Sequence, residues 1–149
     1  MRVGNFCVRD VIECHRKTSA LELSQLMRDS HVGDVVVVDQ PNGKKVAVGI
    51  VTDRDLAVEV MAKEVDPALV TAGDLIGREL VTVGEGSDVF ETAELMRHKG
   101  VRRVPVVDDQ GGLVGIVTLD DLLKIVGQQL ILLAQVIGRE RFEERQSRR

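Results

Sequence analysis

Aromatic residues are almost missing from this chain: three Phe, no Tyr and no Trp among 149 residues. A ligand cannot then be gripped on stacked aromatic platforms, which excludes the usual general binders of single-stranded nucleic acid. Cysteine is equally scarce. Cys7 and Cys14 are too few for a disulfide framework, and the spacing between them fits no usual zinc site, so reduced thiols in a cytoplasmic protein are expected. Neither sign of charge is in great excess, with 24 Asp and Glu against 20 Lys and Arg and a net charge of −4. Such a surface repels phosphate backbones, and any anionic ligand must be met by a local basic cluster.

Long hydrophobic runs are also lacking. The longest uncharged stretch near the C-terminus, Ile125 to Gly138, has 14 residues including three Gln, so no membrane span is expected. Near the N-terminus, Arg9 and Asp10 interrupt any signal-peptide core. No GKT or GKS occurs, which excludes a P-loop, and Gly84-Glu85-Gly86 places Val89 where a dinucleotide fingerprint needs its third glycine. His15, His31 and His98 are scattered without ligand spacing, so no metal is expected. Cys14 and His15 are adjacent, which on a strand turns them to opposite faces and argues against a thiol nucleophile. Met27 and Met96 read as core.

What is present is enough apolar residue for a core, 44% of the chain, and an internal repeat. Shifted by 69 positions, Thr18–Asp39 lies over Ser87–Asp108, with Glu22, Leu26, Met27, Arg28, Val32 and Val35 among the residues that recur. After a connector three residues longer in the first copy, VGIVTDRDL (48–56) lies over VGIVTLDDL (114–122), and seven of these nine positions are identical. A unit of this length present twice is a duplicated supersecondary block, and its copies are expected to pack about a pseudo-twofold axis. Each alone is too small for a stable core.

Local signals agree within each copy. Ser19 with Glu22, and Asp88 with Glu91, have capping-box spacing at a helix start. Val35–Val38 and Val104–Val107 read as short strands buried on both faces. Pro41-Asn42-Gly43 and Gln110-Gly111-Gly112 are turn chemistry before second strands, after which a second helix starts near Asp53 and near Leu119. The expected fold is α/β, each copy running strand, helix, strand, strand, helix. The copies are placed at residues 9–62 and 78–126, followed by an amphipathic helix and charged tail over 127–149, expected to pack on the module or on a second subunit.

The chemistry falls on the end of each second strand. Thr52 and Thr118 present a hydroxyl beside the unsatisfied N–H groups of a helix's first turn, a place suited to phosphate oxygen. Asp55 and Asp121 return to the same place one turn in, where an ionised carboxylate accepts from a ribose diol. Thr and Asp also serve as plain N-caps, but a cap is expected to use only the first of the two. Arg102 and Arg103 supply the local basic cluster, since guanidinium groups hold phosphate bidentately. Copy one has Gly33 and Asp34 there instead, and Asp34 opposes a phosphate, so unequal sites are expected. The walls available to a base are aliphatic: Val35, Ile50, Val104, Val106 and Ile116.

The tandem arrangement and the words GIVTDRDL and GIVTLDDL resemble the CBS domain, which occurs in pairs called Bateman modules; the resemblance covers about Arg9 to Val126. It implies ligand binding without catalysis, with Thr52, Asp55, Thr118 and Asp121 contacting an adenosine nucleotide (AMP, ADP or ATP), Arg102 and Arg103 reaching its phosphates, and Ile50, Val104, Ile116 and Val83 surrounding the base. Backbone groups near Glu13–His15 and Val81–Val83 are implied to meet the base. The function expected is that of a stand-alone regulatory, energy-sensing module that needs no cofactor, forms a homodimer and acts on a separate effector protein. Two alternatives stay open: a ligand-free dimerisation module, and a binder of S-adenosylmethionine.

Overall fold

Helix starts are set by local capping. In the computed structural model, which describes residues 1–148, the first copy comprises β1 (Glu13–Cys14), α1 (Ala20–Ser30), β2 (Asp34–Asp39), β3 (Val46–Thr52) and α2 (Asp53–Asp55), continued by a π-helical turn over Leu56–Met61. A short helix, α3 (Ala72–Leu75), leads into the second copy: β4 (Val83–Gly84), α4 (Val89–Lys99), β5 (Arg103–Val107), β6 (Leu113–Thr118) and α5 (Leu119–Ser147). The α/β class and the strand-helix-strand-strand-helix order are those expected. Ser19 caps α1 and Asp88 caps α4, each paired with the glutamate three residues on, so that cap side chain and carboxylate satisfy N–H groups the helix cannot. At the other end α1 stops at His31 and α4 at Gly100, equivalent residues that are both in the left-handed conformation.

Each copy builds a three-stranded sheet in the order β1-β2-β3 or β4-β5-β6, the first pair parallel and the second antiparallel. Even the irregularities repeat. A bulge falls at Val37/Val38 in one sheet and at Val106/Val107 in the other. The period of two along a strand then divides the valines between two cores. Val35 and Val37 pack with Leu23, Met27 and Val51 beneath α1, as Val104 and Val106 pack with Val89, Met96 and Val117 beneath α4. The alternate residues Val36 and Val38 face the other copy, where they meet Ile116 with Ile50, Ala47 and Leu113 around them. The sheets are therefore buried on both faces, as the uninterrupted valine runs imply.

A reciprocal exchange of segments ties the copies together. Residues 1–8 precede copy one but pack on copy two: Val3 is fully buried in that core with Cys7, Val3 N–H donates to Ser87 O, Gly4 N–H to Glu85 O, and Val8 bridges to Ile116. The segment before copy two does the same to copy one, with Ala72 and Ile76 against its core and Ala72 N–H and Gly73 N–H donating to Thr18 O and Arg16 O. Gly4 is required by this contact, since a Cβ there would lie 2.7 Å from Glu85 O.

The C-terminal helix differs from expectation in where it starts. No separate helix starts at Gly127, because α5 runs unbroken from Leu119 to Ser147, and Arg149 lies outside the described residues. Beyond Gly127 every described residue is exposed, and Leu130, Ile131, Leu132, Leu133, Val136 and Ile137 are 54–64% exposed. By length and composition α5 also qualifies as a membrane-crossing helix, with a mean hydropathy of 1.3 over 18 residues. The apolar stretch that gives this length takes in charged residues beyond the 14-residue uncharged run Ile125–Gly138.

Candidate functional site

The two Thr-Asp pairs sit where β3 passes into α2 and where β6 passes into α5. Each forms a complete capping box: Thr52 Oγ1 accepts from Asp55 N–H at 3.1 Å while Asp55 Oδ2 accepts from Thr52 N–H at 2.8 Å. Thr118 and Asp121 repeat the pattern at 3.2 and 2.9 Å, and the Thr118 hydroxyl also donates to Asp121 Oδ2. This corrects one step of the sequence argument. The aspartate one turn in is accounted for by capping alone, since it occupies the position from which a carboxylate reaches back to the cap's N–H. Thr71 and Asp74 form the same box at the start of α3, away from both pairs. The four residues are only half-buried, and the boxes employ Oδ2 of each aspartate.

Between the copies lies a cleft of about 310 Å³, lined by Gly33 and Asp34 from copy one and by Arg102, Arg103, Thr118, Leu119 and Asp120 from copy two. It opens at the first residues of β2 and β5 and at the start of α5. Arg103 pairs with Asp34 across it, the two side chains being 31% and 22% exposed. Arg102 lies 3.7 Å from Asp120, and both are open to solvent. A second cleft of about 360 Å³, at the opposite end of the strands, is lined by Arg9, Asp10, Val11, Glu13, Lys45, Leu113 and Val114, with Lys45 paired to Glu13.

The sequence-derived residues thus divide into groups. Thr118, Arg102 and Arg103 meet at one cleft, with Asp121 bonded to Thr118 behind it. Thr52 and Asp55 form the matching corner of copy one, and neither lines the two clefts. Val104 and Val83 lie inside the core of copy two, while Ile50 and Ile116 lie in the seam between the sheets. Val35 and Val106 likewise face their own cores. Sequence reasoning missed the partner of Arg103. The signal was available: Asp34 and Arg103 are 69 residues apart, the repeat spacing itself, and equivalent residues near a twofold axis face each other.

Burial outweighs the neighbours that favour thiolate, Arg9 at Cys7 and Thr18 at Cys14. Burial pushes Cys14 up to about 11, against a smaller opposing effect of Thr18, and burial also raises Cys7. Among the described residues no group of three or more His, Cys, Asp or Glu is arranged to hold a metal ion.

The family model for the CBS domain matches residues 3–62 and 72–128. An uncharacterized protein of Methanopyrus kandleri is 41% identical over 123 residues, covering 83% of this chain and 61% of that protein, so the chain spans about three fifths of that relative's length. A CBS domain protein of Pyrobaculum aerophilum solved with AMP superposes with a TM-score of 0.72 at 26% identity, covering 81% of this chain and 89% of that one. A CBS domain pair solved with 5′-methylthioadenosine and S-adenosyl-L-methionine gives the same score and identity over 85% of this chain and 99% of its own. With both copies matched by the family model and the duplicated sheets facing each other across a shared seam, the chain belongs to the CBS domain family, as a tandem pair.

Proposed function

We propose that this CBS pair is a regulatory module that binds an adenosine nucleotide in the cleft between its copies without transforming it. The observation that carries the reading is the cleft holding Arg102, Arg103 and Thr118 at the start of α5, in a fold whose solved relatives include one with AMP. Two guanidinium groups suit a phosphate, and Asp121 lies one turn inside α5 to accept from a ribose. Since the cleft draws on both copies, a ligand there favours one relative arrangement of them, and this preference is what an effector protein would read. The buried, reduced cysteines fit a cytoplasmic setting.

The same reading gives α5 a second copy of the chain as its partner. At 1.5 Å per residue the uncharged run Ile125–Gly138 is about 21 Å long, short of the ~30 Å of bilayer hydrocarbon, and it carries Gln128, Gln129 and Gln135. The following segment, RERFEERQSRR, mixes both signs of charge and complements a copy of itself.

A thermal-shift panel of adenosine, AMP, ADP, ATP and S-adenosylmethionine tests the ligand. At a hundredfold excess over Kd, binding adds about 2.7 kcal/mol, which raises the Tm of a chain this size by roughly 5–10 °C. Asp121→Asn keeps a cap acceptor and is expected to abolish the shift, whereas Asp120→Asn preserves it. If no member of the panel moves Tm, the reading fails and a ligand-free dimerisation module takes its place. A response to S-adenosylmethionine alone replaces the nucleotide with a phosphate-free adenosyl ligand.

A further inference from the structure

The charges around the cleft are nearly balanced within the protein itself. Arg103 is paired with Asp34 and Arg102 stands beside Asp120, so each guanidinium already faces a carboxylate. A third carboxylate is close: a Cβ added at Gly33 would lie 3.1 Å from Asp53 Oδ2. The two pairs are not alike. Arg102 and Asp120 are 72% and 83% exposed, so water and salt screen them and the side chains can swing apart. Arg103 and Asp34 are 31% and 22% exposed, and there an ionic contact is less screened and its rupture more costly.

From this we infer that Asp34 sets the number of phosphates the cleft accepts, by holding Arg103 and by opposing added negative charge. The inference rests on the nucleotide reading above. A ligand with one phosphate is served by the exposed Arg102, leaving the Arg103–Asp34 pair intact. A triphosphate brings more charge than Arg102 neutralises, so it must take Arg103 from Asp34 and then lie beside an unpaired carboxylate. Like charges juxtaposed in a partly desolvated site disfavour that complex. The cleft therefore selects AMP over ATP, and Asp34 is the residue responsible. The equivalent position in copy two is Arg103 itself, so the selectivity arises from a position whose charge is reversed between the copies near the axis.

The test is isothermal titration of adenosine, AMP and ATP into the wild-type chain, Asp34→Asn, and the double variant Asp34→Asn/Arg103→Gln, all at a temperature where circular dichroism shows each protein folded. The wild type is expected to bind AMP at least tenfold more tightly than ATP. Asp34→Asn is expected to gain tenfold or more for ATP with adenosine changed less than twofold, and the double variant is expected to lose that gain. Equal changes for ATP and adenosine in Asp34→Asn, or an ATP gain that persists without Arg103, overturn the inference while leaving the nucleotide site standing. Absence of binding by all three ligands to all three proteins overturns the site reading, and the inference with it.

Discussion

Asp34 and Arg103 occupy the same position in the two copies and form an ion pair with each other. A residue can touch its own counterpart only close to the axis relating the copies, so this pair marks the pseudo-twofold and joins the units across it. Reversing one charge alone sets like charges together there. Asp34→Arg and Arg103→Asp are each expected to lower Tm, and the double exchange to recover most of the loss. The coupling energy should be about 1 kcal/mol or less, as befits a partly exposed pair. Strictly additive losses in a denaturation cycle would show that the contact contributes nothing in solution.

Val3 is fully buried in the core of copy two, although it lies on the far side of copy one in sequence. Val3→Ala removes two methyl groups from a packed site and is expected to cost about 2 kcal/mol. Urea denaturation reads this directly. A wild-type midpoint would mean that the N-terminal segment does not stay docked.

His31 holds a left-handed conformation at φ 53° where its counterpart Gly100 holds φ 66°. A side chain with a Cβ is penalised there and glycine is not. His31→Gly is expected to raise stability by about 1 kcal/mol, and Gly100→Ala to lower it by a similar amount. Differential scanning calorimetry measures both. A drop in Tm for His31→Gly contradicts the account.

Leu130 and Leu133 are 62% and 64% exposed on a helix turn that is apolar on nearly every side. If a second copy covers α5, Leu130→Glu with Leu133→Glu shifts the mass measured by light scattering from dimer to monomer, with circular dichroism nearly unchanged. A wild-type monomer that floats with phospholipid vesicles would instead assign the helix to a membrane.

Cys14 has its thiol held near 11 by burial, so at pH 8 roughly a thousandth is thiolate. Iodoacetamide is expected to label it in native protein far more slowly than in urea. The sign of the linkage follows: the folded chain keeps a proton that the unfolded chain releases near pH 9, so stability falls as pH rises from about 9 towards 11. A denaturation midpoint that rises over that interval refutes the assignment.

The sequence alone determined the duplication, the element order and the buried character of the strands, because these depend on local chemistry that recurs. Capping glutamates, turn glycines and runs of valine act within a few residues, and two copies with the same words confirm one another. It also carried the Thr-Asp pairs, though not their meaning: the same spacing that suits a ribose also closes a capping box, and both readings use the same residues. What only the tertiary structure decided was which surfaces meet. Val104 and Val83 went to a core, while Ile50 and Ile116 went to the seam. The period of two assigns alternate residues to opposite faces but does not say what lies beyond each face. The exchange of residues 1–8 and 72–76 and the pairing of Arg103 with Asp34 depend on how the copies are turned about their axis, which no local pattern encodes. The near-absence of aromatic residues likewise gained its meaning only then, since a cleft lined by arginine, aspartate and threonine offers charge and hydrogen bonding and no aromatic stacking platform.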